Sequence, residues 1–179
     1  MPRLVLGCGA SAALHKACDL ASKLTQAGHE VRTLLTPRAG RLIAPQLFEA
    51  VTGQPARTSE WSEEREGAMD HIDWATWAEA LVVAPATGDL VSRLALGLAD
   101  DLLTTTALAL PAPVPRLLVP AMNPHMLAAP PVQRSLGVLR EDGWRVLDPE
   151  EGHLACGVEG RGRLPEVERI VAAVAELCR

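Results

Sequence analysis

Short apolar runs recur along the chain, separated by longer stretches whose apolar residues fall at helical spacing. The runs are Leu4 to Cys8, Val31 to Thr36, Ala80 to Pro85, Val114 to Val119 and Trp144 to Leu147, with a weaker one near Gln54 to Thr58. Ala80 to Pro85 is apolar throughout, the pattern of a strand buried on both faces. Between the runs, Ala12 to Ala27 places Ala13, Ala17, Leu20 and Leu24 on one helical face, and Gly28 closes it. Further helices are predicted over Ala39 to Val51, with Pro45 inside and Gly53 at the end, over Leu90 to Leu98, and, after Gly97-Leu98-Ala99-Asp100-Asp101, in a second helix through Leu110. Two more cover Pro131 to Glu141 and Pro165 to Cys178. Strands alternating with helices imply right-handed crossovers and a parallel, doubly wound α/β sheet in one domain spanning 1–179. Two segments break the rhythm: an acidic one from Ser59 to Asp70, and a glycine-rich one from Asp148 to Arg163, both read as loops.

In such a sheet, ligands bind beyond the carboxyl ends of the strands, so the strand exits are where chemistry is expected. Leu117 to Met126 is the fullest of these: an apolar strand end, then Asn123 and His125 flanked by Met122 and Met126. An amide there either grips a carboxylate through its N–H groups or caps a helix after a proline-containing turn. The first strand ends in Gly7-Cys8-Gly9-Ala10-Ser11, a turn whose backbone N–H groups and following helix suit a phosphate. It lacks a full Gly-x-Gly-x-x-Gly fingerprint, and no acidic residue ends the second strand, which argues against NAD. Ser11 serves a mononucleotide phosphate, an N-cap, or both.

Composition narrows the class. Of 179 residues 48 % are hydrophobic and 22 % charged, an ordinary globular balance, and with aromatics at 3 % the core must rest on Leu, Val and Ala. The net charge of −5 with no basic run argues against nucleic acid or an anionic membrane surface. No apolar stretch has the length of a membrane span and no signal-peptide pattern is present. The four cysteines show neither Cys-x-x-Cys nor zinc spacing, so reduced thiols in a cytoplasmic chain are expected. Cys8 reads as core, while Cys156, among glycines, is an accessible thiol that either donates a proton or simply packs. His71 follows the acidic loop and is either a base near neutral pH or structural. Asp100-Asp101 has no further ligand at metal spacing and reads as a helix cap.

Taken together, the turns resemble one family. They are Gly9-Ala10-Ser11, Thr36-Pro37-Arg38-Ala39, His71-Ile72, Ala84-Pro85-Ala86-Thr87 and Gly97-Leu98-Ala99-Asp100-Asp101. Pro120-Ala121-Met122-Asn123-Pro124-His125-Met126 and Leu154-Ala155-Cys156-Gly157 with Gly160-Arg161-Gly162-Arg163 complete the set. In this order and spacing they resemble the flavin-containing cysteine decarboxylases, nearly end to end, and most of all those of coenzyme A synthesis. The resemblance implies a flavodoxin-like, Rossmann-like fold binding FMN, no metal, and homotrimers or a dodecamer built of trimers, with FMN at a subunit contact. It implies decarboxylation of phosphopantothenoylcysteine: oxidation of the thiol carbon to a thioaldehyde, loss of CO2, and return of the electrons. By motif match, His71 is the base and Cys156 the proton donor. Asn123, Ala121, Met126 and Arg163 meet substrate. Gly9, Ala10, Ser11, Thr36, Ala86, Thr87, Asp89 and Met122 meet flavin. Where the family usually has Ala-Asn, this chain has Gly88-Asp89. The same fold serves peptidyl-cysteine decarboxylases, flavin prenyltransferases and non-enzymatic regulatory flavoproteins. The last would be expected to lack His71 or Cys156, and the prenyltransferases lack the His-Ile and Pro-x-Met-Asn signatures.

Overall fold

The computed structural model describes residues 2–61, 69–153, 157 and 159–179. Six strands form a parallel sheet: β1 (Arg3–Cys8), β2 (Glu30–Leu35), β3 (Ala56–Arg57), β4 (Ala80–Ala86), β5 (Arg116–Pro120) and β6 (Arg145–Val146). Their order is β3-β2-β1-β4-β5-β6. Every pairing is parallel. With the two-residue β3 set aside, the order is that of a flavodoxin-like sheet, and the direction of winding reverses between β1 and β4.

The helices divide between the faces because side chains on a strand alternate. Leu4, Leu6 and Cys8 of β1 point to one face, where α1 (His15–Gln26), α2 (Pro45–Thr52) and α8 (Val167–Leu177) cover them through Leu20, Leu24, Phe48, Ile170 and Val174. Val5 points to the other, which holds α3 (Asp70–Trp77), α4 (Gly88–Leu96), α5 (Leu102–Ala109) and α7 (Pro130–Glu141). The buried face of α1 carries Ala17, Leu20, Ala21 and Leu24, so the helical spacing read from the sequence holds. No helix among the described residues is long and apolar enough to cross a membrane.

Two segments differ from expectation, and a third takes one of the two readings open to it. The helix expected from Ala39 is a 3-10 turn over Ala39–Arg41 followed by α2, which begins at Pro45; a proline without an N–H belongs in a first helical turn. The turn after β5 follows the capping reading: it continues into a short helix, α6 (Pro124–Ala128), capped by Asn123. The glycine-rich segment holds an antiparallel hairpin, β7 (Glu150–His153) and β8 (Glu159–Arg163). Gly160 explains how the hairpin reaches the body of the molecule: its φ is +158°, and a Cβ there would stand 2.9 Å from Pro124 Cγ at the start of α6.

Candidate active site

The carboxyl ends of β1, β2, β4 and β5 open into a cavity of about 740 Å³ at the switch point of the sheet. This is the size of a small-molecule or cofactor pocket. Each strand exit contributes a side chain whose position is fixed by a backbone contact.

After β1, the Gly9 N–H donates to the Pro85 carbonyl at 2.9 Å. A Cβ at Gly9 would sit 2.9 Å from that same oxygen, so only glycine lets this turn lie against the end of β4. Gly9 supports the cavity without lining it; Ala10 and Ser11 line it. Ser11 Oγ accepts from the Ala13 N–H at 3.2 Å, capping the helical turn that leads into α1. After β2, Thr36 is 5 % exposed; its Oγ1 accepts from the Ala39 N–H at 3.2 Å, and its N–H donates to the Cys8 carbonyl at 3.0 Å. After β4, Thr87 caps α4, its Oγ1 accepting from the Leu90 N–H at 3.3 Å. Ala86 is fully buried behind it, and its carbonyl accepts from the Ala121 N–H at 2.9 Å. Three hydroxyls thus stand at three neighbouring strand ends, two of them beside helix N-termini, where anions are favoured.

The far wall comes from β5 and the hairpin. Ala121, Met122, Asn123 and Met126 line the cavity with Arg163. The Met122 N–H donates to the Gly162 carbonyl at 3.0 Å, tying the hairpin to this wall. Asn123 Oδ1 accepts from the His125 N–H at 2.8 Å, which sets the polarity of the amide. A Cβ on Gly88 would lie 3.5 Å from both Met122 Sδ and Met126 Cε. The two methionines therefore close over Gly88 as an apolar surface.

Sequence reasoning missed Arg93. It lies in the cavity wall and binds Asp89 at 3.1 Å, Asp100 at 2.6 Å and Asp101 at 2.7 Å. Burial works against its charge, but the hydrogen bond and charge of Asp101, followed by Asp100 and Asp89, prevail and hold it above its ordinary value. Asp89, expected to meet flavin, lines the cavity with its carboxylate engaged by Arg93. Asp101 caps α5 in a reciprocal box with Thr104, so the capping expectation stands. The clue to Arg93 was its spacing, four residues after Asp89 and shortly before the acidic pair. Lys16 and Arg38 also line the cavity and carried no signal beyond their neighbourhood.

His71 does not join the others. It sits at the start of α3 outside the cavity lining, half-buried, with Nδ1 3.3 Å from Glu60 Oε2. Because a carboxylate only accepts, Nδ1 carries the proton in a neutral ring and Nε2 keeps the lone pair. Cys156 lies outside the described residues; β7 ends at His153, which lines the cavity. Burial pushes the Cys8 thiol far up, and lifts Cys18 and Cys178 as well. None of these three lines the cavity.

The model of the Flavoprotein family matches residues 1–179. The coenzyme A biosynthesis bifunctional protein CoaBC of Bacillus subtilis is 46 % identical over 159 residues, covering 89 % of this chain and 39 % of that protein. The chain thus spans about two fifths of the length of the bifunctional relatives it matches. A probable phosphopantothenoylcysteine decarboxylase of Streptococcus mutans is 33 % identical over 174 residues, 97 % of each chain. Among solved structures, a cysteine-to-serine mutant of PPC decarboxylase complexed with pantothenoylaminoethenethiol superposes with a TM-score of 0.85 at 30 % identity, covering 98 % of this chain and 97 % of that one. The FMN-dependent cysteine decarboxylase SpaF superposes with a TM-score of 0.83 at 33 % identity, covering 100 % and 98 %. With the family model matched end to end and whole-length relatives on both counts, the chain belongs to the flavoprotein family, within its flavin-containing cysteine decarboxylases.

Proposed function

We propose that this chain decarboxylates 4′-phosphopantothenoylcysteine to 4′-phosphopantetheine, an FMN-dependent carboxy-lyase step of coenzyme A biosynthesis in the cytoplasm. The observation that carries the reading is the convergence of Ser11, Thr36, Thr87 and Asn123 on one cleft. The donor set fits FMN: hydroxyls and helix N-termini for a phosphate and ribityl chain, and the Met122–Met126 surface over Gly88 for a flat apolar ring.

Bound FMN supplies a two-electron oxidation of the substrate's thiol carbon and the later return of those electrons. The protein's part is orientation and proton handling. His71 takes the thiol proton on Nε2, with Glu60 holding Nδ1–H. Asn123 grips the carboxylate through its NH2 group, the donor half of the amide, while its oxygen accepts from the His125 N–H and fixes which way the amide points. Once the thiol carbon is at the aldehyde level, the electrons of the departing C–C bond have somewhere to go, and CO2 leaves an enethiolate. Cys156 then gives the proton that completes the saturated thiol.

Purified protein should be yellow, and heat should release FMN rather than a peptide-linked flavin. A colourless protein that takes up no added FMN would sink the reading.

The position of His71, outside the cavity of its own chain, supports an assembly in which a neighbouring copy completes the site. A homotrimer, or a dodecamer built of four trimers, is the expected state. Light scattering on the flavin-loaded protein at micromolar concentration should give a multiple of three chains; a monomer with flavin bound and full activity would overturn the assembly.

A further inference from the structure

The turn Met122-Asn123-Pro124 is braced from outside its own strand. The Gly162 carbonyl of β8 accepts the Met122 N–H at 3.0 Å, and Gly160 lies against the Pro124 ring. Asn123 stands between these two contacts in the chain, so β8 places its backbone. Beyond Leu164, which follows β8 into the core, packing does little to hold the hairpin there. In β7 and β8 only Gly162 is buried, and it has no side chain. A chain of ion pairs ties the hairpin down instead. Arg163 Nη2 lies 2.6 Å from Glu166 Oε1 and 3.3 Å from Glu150 Oε2. The second oxygen of Glu166 takes Lys16 of α1 at 3.3 Å, and the second oxygen of Glu150 takes Arg169 of α8 at 3.1 Å. Burial works against the charge of Glu150, but the hydrogen bonds of Arg169 and then Arg163 outweigh it and hold its carboxyl below the ordinary value. The Arg163 stem crosses β7 at Gly152, where a Cβ would stand 3.2 Å from Arg163 Cδ. The fixed point of this chain is α8, which buries Val167, Ile170, Ala173 and Val174.

Motif match assigns Arg163 to substrate. We infer instead that Arg163 is a positioning residue: held between Glu150 and Glu166, it seats β8 against the Met122-Asn123-Pro124 turn and so fixes the place of the Asn123 amide. Its charge is already met by two carboxylates, and both belong to residues outside the cavity lining. An amide that must grip a carboxylate needs a fixed place before the ligand arrives, because freedom lost on binding weakens it. The backbone of β8 supplies that place through Gly162, the residue next to Arg163. The grip of Asn123 on a substrate carboxylate rests on the function proposed above; the seating of β8 does not.

The test compares Arg163→Met with the double variant Glu150→Gln/Glu166→Gln in the FMN-loaded full chain, by binding and by amide exchange. The ligands are phosphopantothenoylserine and phosphopantothenoylethanolamine, titrated by calorimetry. They differ only by a carboxylate, and each has a hydroxyl where the thiol would be, so neither undergoes thiol oxidation. Loss of a hydrogen bond to a charged group weakens binding by about tenfold or more. That loss is expected for the serine amide and not for the ethanolamine amide, in Arg163→Met and in the glutamate variant alike. On an Asn123→Ala background the same changes cost nothing further, because residues that act through one another do not add. Exchange of the Met122 amide, read by mass spectrometry without ligand, quickens in both variants. A loss with Arg163→Met but not with the glutamate variant would make Arg163 a direct ligand of the carboxylate and overturn the positioning role. Equal losses for both ligands would mark general support of the fold and overturn it too. A wild-type protein that binds neither ligand, or both equally, would refute the grip of Asn123 on a carboxylate. The Met122 amide would then still decide the seating of β8, and unchanged exchange in both variants would overturn it.

Discussion

Replacing His71 with Asn is expected to cut CO2 release from phosphopantothenoylcysteine by orders of magnitude while the proposed FMN stays bound. Asn keeps a group that can donate to Glu60, now 3.3 Å from His71 Nδ1, but has no basic nitrogen. Losing a positioned general base costs about 10²–10⁴-fold in rate. Flavin retention is expected from geometry: the cleft-lining hydroxyls of Ser11, Thr36 and Thr87, proposed to hold the flavin, are held by their own caps, and His71 lies outside that wall. The measurement is trapped CO2 per flavin, with the visible spectrum recorded on the same sample. Normal CO2 release by the variant would remove His71 from the chemistry. A colourless variant would mean that its role is in the fold or the assembly rather than in proton transfer.

Much of the fold was legible because apolar pattern and architecture coincide. β1, β2, β4 and β5 are buried runs of the kind a two-layered parallel sheet requires, and they were found within one or two residues of their ends. The caps were legible as well. Ser11, Thr87 and Asp101 stand just before helices, where a side-chain oxygen can satisfy a free N–H. In the candidate site, the same residues that end the strands line the cleft, since a strand exit fixes both.

The hairpin was not legible, for a physical reason. Glu150-Glu151-Gly152-His153 and Glu159-Gly160-Arg161-Gly162-Arg163 have no apolar alternation, and glycine is unfavourable in strands. Its support is tertiary and electrostatic. Glu150 pairs in register with Arg163 and Glu151 with Arg161, and opposite charges across a strand pair stabilise by roughly 0.2–1 kcal/mol each. The close approach of Gly160 to Pro124 depends on residues far apart in sequence. The basic residues of the cleft were hidden for the same reason: Lys16 of α1, Arg38 after β2 and Arg163 of β8 come to line one cavity only through the fold.

Replacing Cys156 with Ser is expected to separate the two halves of the proposed reaction. In the proposed sequence of steps CO2 release precedes the need for a proton from Cys156, so it is expected to continue. The return step then lacks its acid. A serine hydroxyl is a far weaker acid than a thiol, whose ordinary value is about 8.5, and loss of a positioned donor costs about 10²–10⁴-fold. The released product is therefore the enethiol, two hydrogens lighter than the saturated thiol, and the flavin is left reduced and bleached. The other cysteines do not substitute. Cys8 is fully buried, and Cys18 and Cys178 lie away from the cavity with thiols lifted by burial. Mass spectrometry of the product and absorbance of the flavin under anaerobic conditions read both effects in one experiment. Saturated product formed at the normal rate would show that the return proton comes from elsewhere. Loss of CO2 release together with reduction would show that Cys156 acts before decarboxylation rather than after it.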